Sequence, residues 1–278
     1  MKKFLTLALT AMLTLSFASQ SNATKFIEGK IVKIETDLPK VLDVDVCVGD
    51  VDENGHRDTV SQYVYKYFGG NIKKLDYSMY YPYENEKCDV INHSIGLYPI
   101  LNGETEYENE QILNEYIEYE ANKVNEFLKY HKGIIVESAG NNGKDSKVSS
   151  SLARYKDKYK NYEVNERLFV VGQIEKTKSG DYIHHFNYGD EVDFVVANYN
   201  EYVKGGHYSG TSFASPVVSG VIATLLESGI PQEDIRDVIG YEDEVHVYKG
   251  KEYKVFSAFN TFKNARDYID SKETVDKN

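Results

Sequence analysis

Apolar and polar positions alternate along this chain with two periods. Short runs rich in β-branched residues, at 41–48, 89–95, 133–139, 168–174 and 192–197, read as strands. Between them the spacing turns helical. Val60, Val64, Tyr67 and Phe68 recur within 59–68, and Leu113, Ile117, Ala121, Val124 and Leu128 trace one stripe within 106–131. The clearest helix starts near Phe213, carries Val217, Val218, Val221, Ile222 and Leu225, and stops near Gly229. Strand–helix alternation predicts an α/β fold with a mostly parallel central sheet and helices on both faces. The tail differs: 245–247 and 253–255 flank a Lys249-Gly250 turn as a hairpin, and a last helix spans about 260–269.

The first residues obey neither period. Lys2 and Lys3 precede an apolar run from Phe4 to Phe17, and Ser21-Asn22-Ala23 offers a small-residue cleavage site. The run is too short for a membrane span, so 1–23 reads as a signal peptide and 24–278 as one domain, secreted or periplasmic. The net charge of −12 argues against nucleic acid and, once the signal is removed, against an anionic membrane as partner. The acidic stretch 104–120 reads as a solvated helix face. Export permits a disulfide between Cys47 and Cys88, while a buried free thiol is equally ordinary for a cysteine in a Val-rich strand; sequence does not supply the distance that decides.

The densest chemical signal is Gly210-Thr211-Ser212-Phe213-Ala214-Ser215-Pro216, leading into the clearest helix. A serine at a helix N-terminus sits beside unpaired N–H groups and the positive end of the helix dipole. A plain cap accounts for Thr211 or Ser212 but not for the whole string. Pro216 reads as a first-turn proline, whose missing N–H costs nothing there. The string resembles the nucleophile motif of the subtilisin-like serine proteases, Gly-Thr-Ser-x-Ala-x-Pro, at every fixed position. It also resembles the sedolisins, which share its core but use a carboxylate base.

The resemblance extends through further motifs in order. Asn54-Gly55-His56-Arg57-Asp58-Thr59-Val60 is similar to the family's histidine motif at His56 and Val60, and departs from it at Arg57, Asp58 and Ser61. Val44-Asp45-Val46-Cys47-Val48-Gly49-Asp50 is similar to its aspartate strand; the strand-end position favours Asp50 over Asp52. Asp50 and His56 lie closer in sequence than in typical subtilisins. Ala139-Gly140-Asn141-Asn142-Gly143 resembles Ala-Gly-Asn-x-Gly and maps Asn141 onto the side-chain donor of an oxyanion hole, where sedolisins use aspartate. Val90-Ile91-Asn92-His93-Ser94-Ile95-Gly96 resembles a cleft-lining strand whose end, Ser94, Ile95 and Gly96, pairs with substrate backbone; His93 reads as a packed strand residue. Phe186-Asn187-Tyr188-Gly189 resembles the segment before the nucleophile loop, and His184, His185 and His207 read as solvated loop residues.

The resemblance implies a subtilisin-like fold, a catalytic triad of Asp50, His56 and Ser212, and a serine endopeptidase acting on protein or peptide substrates. No metal motif stands in the sequence and no cofactor is identified; structural calcium, common in the family, has no assignable ligands here. An α/β-hydrolase esterase is disfavoured, because its nucleophile elbow needs Gly-x-Ser-x-Gly. The rival expectation is a subtilisin-like scaffold that binds protein without cutting it. The altered histidine context and the brevity of 24–40 as a prosegment support that rival.

Overall fold

The computed structural model describes residues 34, 36–50, 55–76, 87–94, 103–148, 150–160, 162–177, 179, 181–184, 186–198, 202–203, 206–207 and 209–275. The signal-peptide reading, Asp52, His185, Ile95 and Gly96 lie outside the described residues.

The chain runs β1 (Asp45–Asp50), α1 (His56–Tyr65), β2 (Asn71–Asp76), β3 (Val90–His93), α2 (Glu106–Phe127), β4 (Ile134–Ser138), α3 (Ser151–Tyr159) and α4 (Tyr162–Asn165). It continues through β5 (Leu168–Lys176), β6 (Tyr182–His184), β7 (Phe194–Asn198), β8 (Tyr202–Val203), β9 (Gly206–His207) and α5 (Thr211–Glu227). The end is α6 (Ile235–Val238), β10 (Tyr241–Tyr248), β11 (Lys251–Phe256) and α7 (Ala258–Val275). Strand order across the main sheet is β2-β1-β3-β4-β5-β7-β11-β10, with β6 on β5. From β2 to β11 each neighbouring pair along this order is parallel; β10 and β6 pair antiparallel to their neighbours. The expected parallel α/β sheet is present.

Parallel strands bury both faces, and alternate residues serve different cores. Val46 and Val48 of β1 face a cluster with Val60 and Val64 of α1 and Val218, Val221 and Ile222 of α5. Cys47 of β1 faces the other way, with Ile91, Ile135, Val170, Val124 of α2 and Leu152 of α3. The α1 and α5 helices meet backbone to backbone at Gly220, where an added Cβ would lie 2.5 Å from the Val64 carbonyl oxygen. A glycine is needed there because the helices approach too closely for any side chain.

Three expectations change. Glu120 is not solvated: it is 1 % exposed, because the helical register that buries Ala121, Val124 and Phe127 buries it too, and it pairs with the fully buried Arg154. Pro216 lies in the second turn of α5, inside the helix. His184 stands in β6, stacked on Tyr248 with ring centroids 4.3 Å apart and its Nε2 2.6 Å from His246 Nε2, so it is no solvated loop residue. Cys47 and Cys88 form a disulfide with a Cα–Cα distance of 5.7 Å.

Candidate active site

The sheet delivers its polar groups at the carboxyl ends of β1, β3 and β4, where ligands bind in open α/β sheets. Asp50 is the last residue of β1 and 1 % exposed. His56 opens α1, placed by Gly55 at φ 73°, a left-handed conformation that favours glycine. His56 Nδ1 lies 2.5 Å from Asp50 Oδ2. Because the acceptor is a carboxylate, this nitrogen carries the proton and Nε2 is left facing away from it.

The α5 N-terminus lies near the imidazole. The His56 and Phe213 rings lie 5.3 Å apart between centroids, which brings Ser212, one residue earlier, to the same end of the sheet. The Ser212 hydroxyl donates to the Ser94 carbonyl at 3.2 Å. Asp50 and His56 are thus joined directly, and β3 holds Ser212 at the same end of the sheet.

Pro216 accounts for part of that hold. Lacking an N–H, it leaves the Ser212 carbonyl, four residues earlier, without its helical donor. The Ser94 hydroxyl takes that place at 3.1 Å, and also lies 3.1 Å from Ser215 Oγ. Behind it, Asn92 Nδ2 donates to Ser94 Oγ at 2.8 Å and Ser219 Oγ donates to Asn92 Oδ1 at 3.1 Å. A buried hydrogen-bonded chain therefore ties β3 to the first two turns of α5. Asn92, Ser215 and Ser219 had no role in the sequence reading; a polar residue every fourth position on an otherwise apolar helix was the available signal.

Asn141 stands beyond the end of β4. Its Oδ1 accepts from Thr211 N–H at 2.8 Å and from Thr211 Oγ1 at 3.0 Å. An N–H can donate only to the oxygen, so the carboxamide cannot be reversed and its NH2 group is the end left to face outward. Thr211 Oγ1 in turn accepts from Gly140 N–H at 3.1 Å. Gly210, at φ 134°, lets this happen: a Cβ there would lie 3.3 Å from Asn141 Nδ2. Its own N–H donates to the buried Gln173. As a first-turn amide, Ser212 N–H has no acceptor within its helix.

The loop carrying Asn141 is shaped by Asn187, fully buried, whose Oδ1 accepts from the N–H groups of Asn142 and Lys144, each at 3.0 Å. Of the cleft strand, Ser94 is brought to the site. His93 points to the opposite face of the sheet, 3 % exposed, with Nδ1 3.1 Å from Glu137 Oε1. It is the packed strand residue the sequence suggested.

Fold and site together define the class: an α/β serine protease. The family model described as the Subtilase family matches residues 46–240, and the chain belongs to that family. A solved structure described as a lanthipeptide protease is similar at a TM-score of 0.51 and 16 % identity, covering 79 % of this chain and 87 % of that one. The nisin leader peptidase NisP from Lactococcus lactis is similar at 0.45 and 13 % (82 % and 89 % covered). The epidermin leader peptide processing serine protease EpiP from Staphylococcus aureus is similar at 0.46 and 16 % (82 % and 76 % covered). No curated protein sequence matches the chain.

Proposed function

We propose that this subtilase is an exported serine endopeptidase that cleaves peptide bonds through an acyl-enzyme on Ser212. The observation that carries the reading is the 2.5 Å contact between His56 Nδ1 and the buried Asp50, with the imidazole 5.3 Å from the ring of Phe213, the residue that follows Ser212. In this mechanism His56 Nε2 takes the Ser212 proton as Ser212 Oγ attacks the scissile carbonyl. Asp50 holds the tautomer and stabilises the imidazolium. Asn141 Nδ2 and the Ser212 N–H receive the oxyanion, each a preformed donor that needs no reorganisation during the reaction. His56 then protonates the leaving amine, and water, activated by the same nitrogen, releases the acyl group. Ser94 together with Ile95 and Gly96 pairs with the substrate backbone as an added strand. Export rests on the sequence pattern of residues 1–23.

Labelling with a fluorophosphonate probe tests this directly. Mass spectrometry should find the probe on Ser212, and His56→Ala should abolish it. A folded protein that resists the probe would support the second reading, a subtilisin-like scaffold that binds protein without cutting it. That reading has one observation in its favour: Ser212 Oγ donates to the Ser94 carbonyl.

A further inference from the structure

On the far face of the sheet from Ser212, a buried hydrogen-bonded pair holds the segment that carries Asn141. His93 and Glu137 are register partners in the parallel β3–β4 pair, 3 % and 0 % exposed. Glu137 accepts from four directions: His93 Nδ1 at 3.1 Å, Ser150 Oγ at 2.9 Å, Ser151 N–H at 3.0 Å and Leu152 N–H at 2.5 Å. The last two are first-turn amides of α3, which have no helical acceptors of their own and favour a negative charge. Every group around this carboxylate is able to donate, His93 Nδ1 among them.

The position of Glu137 in the chain gives the pair its meaning. Residues 139–148 leave the end of β4 and present Asn141, and Ser150 caps the start of α3. Both ends of this excursion meet at one carboxylate: Glu137 lies in the strand where the loop departs, and Ser150 and Ser151 mark where it returns. Ser151 Oγ further donates to Glu120, which pairs with Arg154, so the return point is also bound to α2. His93 fixes this closure against β3, one residue before the Ser94 carbonyl that holds Ser212. Stability alone is a poor reason for such a pair, since replacing both partners of a buried hydrogen bond by apolar groups is often nearly neutral.

We infer that His93 and Glu137 are positioning residues: their pair sets the distance between the Asn141 loop and the Ser94–Ser212 contact, and so the placement of the oxyanion donors. The inference rests on the proteolytic reading above and extends it to two residues that touch no substrate.

His93→Leu is the informative variant, because Glu137 keeps its three other donors and the fold is spared an unpaired carboxylate. Turnover is measured on a peptide substrate per site titrated with fluorophosphonate, so that misfolded protein is not counted. His93→Leu should lower kcat about 10-fold or more, with KM little changed, within the roughly 10²–10³-fold that loss of one oxyanion donor costs. His93→Asn, which restores an N–H at the Nδ1 position, should recover most of it. In an Asn141→Ala background His93→Leu should cost nothing further, because both changes act through one donor. Equal losses in the two backgrounds, or an unchanged kcat per site, would overturn the inference. Hydrogen exchange over 139–148 gives a readout independent of chemistry: it should rise in His93→Leu and not in His93→Asn. If wild-type protein takes no probe, the protease reading falls, and the exchange result alone decides whether the pair holds the loop.

Discussion

The Asp50 carboxylate reaches His56 Nδ1 at 2.5 Å although the two residues are only six apart in the chain. A strand end and a helix start, joined through a left-handed glycine, achieve this without a long intervening segment. Asp50→Asn replaces an acceptor by a group that can also donate, which favours the wrong imidazole tautomer. It should lower kcat by about 10⁴-fold while leaving the circular dichroism spectrum unchanged. Steady-state hydrolysis of a peptide substrate measures it, and a loss below tenfold would remove Asp50 from the triad in favour of Asp52.

Gly220 connects packing to chemistry. A methyl group there meets the Val64 carbonyl at 2.5 Å, so Gly220→Ala must push α1 from α5. Those helices begin with His56 and, one residue in, Ser212. The substitution should destabilise by about 1–3 kcal/mol, as overpacking does. It should also slow Ser212 labelling by the probe. Urea unfolding and labelling rates, measured on one preparation, separate the two effects.

The Cys47–Cys88 disulfide closes a loop over a sequence separation of 41 that contains α1, β2 and His56. On the chain-entropy account, a loop of this length loses about 4 kcal/mol of stabilisation when opened. Cys47→Ala with Cys88→Ala should therefore shift the urea midpoint strongly downward, and reducing agent should do the same to the wild type once the buried sulfurs are reached. Denaturation with and without the bond checks it.

His131 supplies a pH dependence. It is 8 % exposed, and burial, followed by the nearby Arg167 charge, lowers its pKa to about 4 from 6.5. The unfolded chain therefore binds more protons than the folded one between these values. Stability from this group is complete above about pH 6.5 and is lost progressively as pH falls toward 4, by about 3 kcal/mol in all. Its ring stacks on Phe127 at 5.1 Å and its Nε2 has no partner among the described residues. His131→Phe should keep the stack and flatten the stability profile across that window, as followed by denaturant titration at several pH values.

Much of the sheet was legible because each parallel strand is a continuous apolar run and each long helix keeps its stripe. β1, β3, β4, β5 and β7 overlap such apolar segments, while the hairpin β10–β11 shows through its residues on either side of Lys249-Gly250. β2 was not legible: Asn71–Asp76 is an edge strand with two lysines, and only pairing with β1 makes it a strand. α3 escaped for a related reason, since Ser151–Tyr159 is polar on most positions and is fixed by Glu137 and Glu120 from elsewhere in the fold. At the site, motif order placed Ser212, Asn141, His56, Asp50 and Ser94. Thr211, Gln173, Asn187 and Asn92 were hidden as partners, because a hydrogen bond between residues distant in sequence leaves no periodic trace. Pro216 was misread for the opposite reason: its residue type was plain, but the helix begins one turn earlier than its apolar stripe.

The contact between Ser212 and Ser94 spans 118 residues, and β4 and β5 are laid down between them. Loop-closure entropy has to be met before such a contact returns anything, so it belongs to the late part of folding. A chain still emerging from the ribosome presents β1, α1 and β3 long before α5 exists. It therefore carries Asp50 and His56 but not Ser212, so the proposed active site can be assembled only after β4, β5 and β7 have been made.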